Sequence, residues 1–177
     1  MNNIFFDLET QKSIQEVGGR ENIKLLRVSV AVTFSTAAND FKSYLEQDVP
    51  ALIADLKAAD RVVGFNLRQF DYTVLKYYSS ERLNDLVTLD LMEDVYNKLR
   101  FRIGLDALAA ATLGAKKSAD GLEAIRWYRE GKLDQLIAYC RDDVDITKRL
   151  FEAGRDQGFV QYSDRDGRTK RVNVAWK

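Results

Sequence analysis

No histidine occurs in these 177 residues, and cysteine and proline occur once each, as Cys140 and Pro50. Without imidazole there is no Ser-His-Asp triad, no His-liganded zinc and no His general base, which leaves carboxylates, Tyr, Lys and Cys for chemistry. A single cysteine forms neither an internal disulfide nor a zinc site built on thiolates, and it fits a reducing compartment. There is no run of about 18 apolar residues and no secretory pattern at the start, so a soluble, cytoplasmic protein without membrane contact is expected. Neither sign of charge is in excess: 27 Lys plus Arg balance 27 Asp plus Glu. A polyanionic partner would therefore have to be met by a local groove rather than by a global positive field.

What is present suits one globular unit. With 46% hydrophobic and 31% charged residues the chain can bury one sizeable core and is short for two. The expectation is a single domain over 1–177, with a core over 1–153 and a C-terminal hairpin over 158–177. Residues 3–8 read as an apolar strand, 24–34 as a longer one with Val28, Val30 and Val32 alternating, and DFKSYL as a third. Pro50 opens a helix with Leu52, Ile53 and Leu56 at helical spacing, and RVVGF (61–65) returns to strand. A helix over 69–78, a strand over 86–89 and a helix capped by Asp90 follow. LDALAAATL stops at Gly114, suited to a left-handed C-terminal cap, and 117–121 read as loop. The last helix, 133–153, carries two adjoining stripes: Leu136, Cys140, Val144, Thr147 and Phe151, then Tyr139, Asp143, Ile146 and Leu150. A meander followed by helix–strand alternation is an α/β pattern with a mixed sheet.

Asp7 and Glu9, two apart on a strand, leave the same face. Two anions held together repel and are driven toward protonation unless a cation meets them. Magnesium takes carboxylate and water oxygens, and the four acids Asp7, Glu9, Asp71 and Asp143 match two ions about 4 Å apart with Asp7 shared. Tyr139 lies one helical turn before Asp143 and faces the same way. A phenol of pKa about 10 costs roughly 4 kcal/mol to ionise at neutral pH, so Tyr139 is read as a hydrogen-bonding group for water and not as a free base. Taken singly, these residues are a solvated strand end, a first-turn acid, a half-buried aromatic and a surface acid; their occurrence together and in order carries the reading.

FFDLET, VGFNLRQFD and YCRDDVDIT together resemble the three motifs of the DnaQ-like superfamily of 3′ to 5′ exonucleases, in its Tyr-containing DEDD branch. The third motif, and GLDALAAATLGAKK before it, are most similar to the proofreading domains of family B DNA polymerases. The resemblance spans residues 5–147. It implies an RNase H-like α/β fold with a central five-stranded mixed sheet flanked by helices. It also implies two divalent ions, Mg2+ or Mn2+, and release of nucleoside 5′-monophosphates from the 3′ end of single-stranded nucleic acid, DNA ahead of RNA. Carried over, Asp7, Glu9, Asp71 and Asp143 are the metal carboxylates and Tyr139 positions water. Thr10, Asn66 and Phe70 are candidates for substrate binding, Phe70 by stacking on the terminal base. Lys116 and Lys117 are candidates for neutralising a phosphate, and Arg165, Arg168, Lys170, Arg171 and Lys177 against Asp164 and Asp166 give the hairpin a local positive surplus. Asp90 is assigned to capping and Cys140 to packing. No polymerase palm or fingers fit this length, so action as a lone domain or within a larger replication or repair assembly is expected. The competing expectations are a non-catalytic nucleic-acid-binding or adaptor domain, a 3′ to 5′ exoribonuclease, and an endonuclease or resolvase on the same fold.

Overall fold

The computed structural model describes residues 1–115 and 121–177. Strand β1 (Asn3–Thr10) pairs antiparallel with β2 (Val28–Ser35), which pairs antiparallel with β3 (Asp40–Leu45). Helix α1 (Val49–Ala58), with Pro50 in its first turn, leads to β4 (Arg61–Gly64), and the short α2 (Asp71–Leu75) precedes β5 (Thr88–Asp90). Both β4 and β5 join in parallel on the other side of β1, so the sheet is mixed and five-stranded in the order β3-β2-β1-β4-β5. Then come α3 (Leu91–Leu99), α4 (Leu105–Leu113), α5 (Gly121–Arg129) and the long α6 (Leu133–Gln157). A hairpin of β6 (Phe159–Ser163) and β7 (Thr169–Asn173) closes the chain.

The period-two alternation of the strands sorts side chains onto two apolar faces. Phe5, Val30, Val32 and Val63 pack with Leu136, Cys140, Val144 and Phe151 of α6. Ile4, Phe6, Ala31 and Val62 pack on the other face with Leu52, Ile53 and Leu56 of α1. Both stripes expected on α6 are buried, because this helix crosses the sheet beneath α4 and α5 and has few sides left for solvent. In its last turns Gly154 meets the C-terminal tail: a Cβ there would sit 2.3 Å from Trp176 Cε3. The Trp176 ring stacks on Phe151, and its Nε1 donates to Asp94 at 2.8 Å. No helix among the described residues is long and apolar enough to cross a membrane.

Several local expectations are corrected. Residues 24–27 are not strand: a 3-10 helix runs Arg20–Leu25, whose three-residue spacing turns Ile23 and Leu26 into the core. Val28 does not share a face with Val30 and Val32. The β1–β2 register shifts between Glu9 and Thr10, Ser29 is the extra residue, and Val28 is turned to the opposite core. Helix α2 covers only Asp71–Leu75 of the expected 69–78, since Tyr77 N and Tyr78 N close tighter turns onto Val74 O and Leu75 O. β5 begins at Thr88, after a 3-10 turn over Leu83–Asp85. Gly121, expected as the last residue of a loop, instead opens α5. Lys116, Lys117 and the rest of the expected loop before Gly121 lie outside the described residues.

Candidate metal centre and cleft

The site lies where β1 outruns β4. Parallel pairing stops at Phe5 with Val63, and after Gly64 the chain turns away from the sheet. A Cβ on Gly64 would lie 2.6 Å from the Leu67 side chain, so the glycine admits a turn that folds fully buried Leu67 back against the strand end. With no β4 residue left beside it, Leu8 N instead donates to Asp71 Oδ1 at 3.2 Å. This brings the first residue of α2 to the C-terminal end of β1, between Asp7 and Glu9.

Asp7 and Glu9 point to the face covered by α6, as does Phe5 two residues earlier, and there they meet Asp143. One carboxylate oxygen from each of Asp7, Glu9 and Asp143 lies within 4.8 Å of the others. Asp143 and Tyr139 are 4% and 2% exposed, so rigid packing aims both side chains. The Trp127 ring of α5 meets Tyr139 edge-on at 5.8 Å. Asp7, Glu9, Asp71, Tyr139 and Asp143 line one cleft of about 650 Å³, together with Thr10 and Phe70.

The electrostatics show an anionic site. Burial first, then the negative charge of Asp7, raises Asp71 well above the usual carboxylate range. Cys140 Sγ sits 3.5 Å from Asp7 O and 3.8 Å from Asp7 Oδ2. Burial, then the charges of Asp7, Glu9, Asp143 and Asp71, keeps this thiol a thiol. Sequence reasoning gave Cys140 packing alone; its position directly after Tyr139, on the stripe facing the strand, was the available signal for contact with Asp7. An all-oxygen set of clustered carboxylates suits Mg2+ or Mn2+ and not a soft metal.

The second-tier residues divide. Thr10 Oγ1 donates to Lys12 O at 2.9 Å and stands at the cleft floor. Phe70 presents a partly exposed ring to the cleft. Asn66 instead lines a neighbouring cavity of about 350 Å³, beside Arg68, Gln69 and Asp90. It has φ +67°, and its Oδ1 is buried without a hydrogen-bond partner. Sequence reasoning missed the cleft walls from the 12–15 segment and from α5, where Leu122 and Ile125 face the cleft. The Arg129–Glu16 ion pair, at 2.6 Å, ties these walls together.

A mixed five-stranded sheet with clustered acids at the end of its central strand defines a nuclease-type fold. A family model described as the RNase_H superfamily matches residues 4–154, and the chain belongs to that superfamily. Among solved structures it is similar to the family B DNA polymerase from the hyperthermophilic archaeon Pyrobaculum calidifontis, at 18% identity and a TM-score of 0.65. The alignment covers 87% of this chain and 24% of the polymerase, so the chain spans about a quarter of that protein's length. No curated protein matches.

Proposed function

We propose that this chain is a metal-dependent 3′ to 5′ exonuclease that removes nucleoside 5′-monophosphates from single-stranded 3′ ends, DNA in preference to RNA. The observation that carries the reading is the convergence of Asp7, Glu9 and Asp143 within 4.8 Å in a cleft that Asp71 and Tyr139 also line. The order of these residues along the chain, with Tyr139 four before Asp143, supports 3′-end chemistry, and the polymerase likeness supports DNA. The chain is read as one domain, core 1–153 with the hairpin appended.

Asp7, Glu9, Asp71 and Asp143 would hold two divalent ions, which when bound supply charge neutralisation and acidification of water. Asp7, which clusters with Glu9 and Asp143 and whose charge acts on Asp71, would be the ligand shared between the ions. Tyr139 would orient the attacking water by a hydrogen bond and not serve as its base. Phe70 gives the terminal base an aromatic face, and the walls around Ile14 and Ile125 limit access of bulk water. Charge repulsion among the acids makes the cleft hostile to a phosphate chain until cations arrive, which links substrate binding to metal loading.

The test is a strand labelled at either end, with Mg2+, Mn2+ or chelator, in DNA and RNA versions. Stepwise loss of mononucleotides from the 3′ end only, abolished by Asp7→Ala, is expected. Internal fragments from circular DNA would replace the exonuclease reading with an endonuclease, and equal release by wild type and Asp7→Ala would discard the site.

A further inference from the structure

Asp90 ends β5 and is 4% exposed, yet it stands outside the cleft. Its carboxylate receives three backbone N–H groups. Oδ1 accepts from Asn66 N at 2.8 Å and from Glu93 N at 3.3 Å, and Oδ2 accepts from Arg68 N at 3.2 Å. Only the Glu93 bond is the helix cap that a residue before α3 ordinarily makes. The other two reach back to the turn that joins β4 to α2, and capping α3 requires neither.

That turn leads directly into two residues of the site. It opens on Asn66 in the left-handed region, which asparagine tolerates better than most residues but does not prefer. It continues through Phe70 N to Asn66 O at 3.1 Å and Tyr72 N to Leu67 O at 2.9 Å. The two residues that follow directly are Phe70, whose ring faces the cleft, and Asp71, whose carboxylate meets Leu8 N. A forked, acceptor-only carboxylate matches two N–H groups that point the same way; an amide would set its own N–H against one of them.

We propose that Asp90 is a positioning residue for the nuclease site, clamping the Asn66–Phe70 turn so that Phe70 and Asp71 present to the cleft. The inference rests on the functional reading above. Asp90 touches neither substrate nor ion; it acts through Asp71. The side chain of Arg68 provides a second anchor, donating to Asn84 O at 2.8 Å and pairing with Glu93 at 3.2 Å, so losing the clamp loosens the turn without unfolding it.

The deciding experiment compares wild type, Asp90→Asn, Asp71→Asn and the double variant by hydrogen exchange and by Mn2+ titration calorimetry, well below the melting temperature. Asp90→Asn keeps one acceptor and the cap, so it folds where Asp90→Ala is at greater risk. Exchange across residues 66–75 should quicken on the order of tenfold while α1 is unchanged. Mn2+ affinity should fall on the order of tenfold, the usual effect of losing a partner behind a metal ligand. In the Asp71→Asn background the second substitution should change Mn2+ affinity less than twofold. Additive losses of affinity, or a lower melting temperature with Mn2+ binding and 66–75 exchange unaltered, would make Asp90 a cap and overturn the proposal. A wild type that binds Mn2+ but releases no nucleotide would sink the nuclease reading alone. If wild type binds no Mn2+, the nuclease reading also fails and unchanged exchange at 66–75 overturns the clamp.

Discussion

Replacing Asp71 by Asn should stabilise the metal-free protein and disable it at once. The side chain is 2% exposed and accepts a hydrogen bond from Leu8 N, which an amide oxygen can retain. What the amide removes is a buried carboxyl that burial first, and then the charge of Asp7, make costly to ionise. The sign follows from the raised pKa of Asp71. Wild-type stability is fully present below the unfolded carboxylate value of about 4 and is lost as pH rises through the folded value. The variant has no such loss. Its advantage is therefore near zero at pH 4 and grows toward pH 8, where relief of an imperfectly compensated buried polar group is about 1–3 kcal/mol. At about 2 kcal/mol the melting temperature in chelator rises about 4–8 °C for a chain of this size. The assay is thermal melting at pH 4 and pH 8, in chelator and in Mn2+. Wild type should gain from Mn2+ at pH 8 and Asp71→Asn should gain much less. An Asn variant that melts below wild type in chelator at pH 8, or gains equally from Mn2+, would refute the reasoning.

Tyr139→Phe should slow nucleotide release on the order of a hundredfold, the scale of one positioned hydrogen-bonding group, and leave Mn2+ affinity intact by calorimetry. Gly154→Ala drives a methyl into the Trp176 ring; overpacking of about 1–3 kcal/mol outweighs a helix-propensity gain of about 1, and a red shift of tryptophan emission reports the displaced indole. Burial pushes Tyr72 up to about 12, so its contribution is present below about pH 10 and is lost as pH rises through about 12. Tyr72→Phe should therefore show a shallower fall in melting temperature between those pH values than wild type.

The sequence displayed those parts of the fold and site that depend on local period. Asp7 and Glu9 share a face because strands alternate, and Tyr139 and Asp143 share one because a helix turns in under four residues; both hold in the structure. Gly114 is left-handed at φ +67°, as a C-terminal cap asks. What stayed hidden depends on contacts between distant segments. The bulge at Ser29 is a matter of pairing between β1 and β2, and no pattern in 24–34 marks it. Helix α2 stops early because Tyr78 is drawn to Glu46, whose Oε1 accepts from its hydroxyl at 2.6 Å. Asp90 looked like a cap and is one, but its two further donors lie 24 and 22 residues upstream. The thiol of Cys140 meets Asp7 across 133 residues. Helix α5 is hard to read from the sequence because its apolar positions, Leu122, Ala124, Ile125, Trp127 and Tyr128, sit among charged residues in a nine-residue segment.

Anomalous diffraction from a crystal soaked in Mn2+ tests the central claim most directly. The account predicts two peaks about 4 Å apart, each roughly 2.0–2.2 Å from a carboxylate oxygen and both bordering Asp7, with Glu9, Asp71 and Asp143 completing the set. A fully soaked crystal with no peak among these four residues, or with manganese bound only elsewhere on the chain, would contradict it.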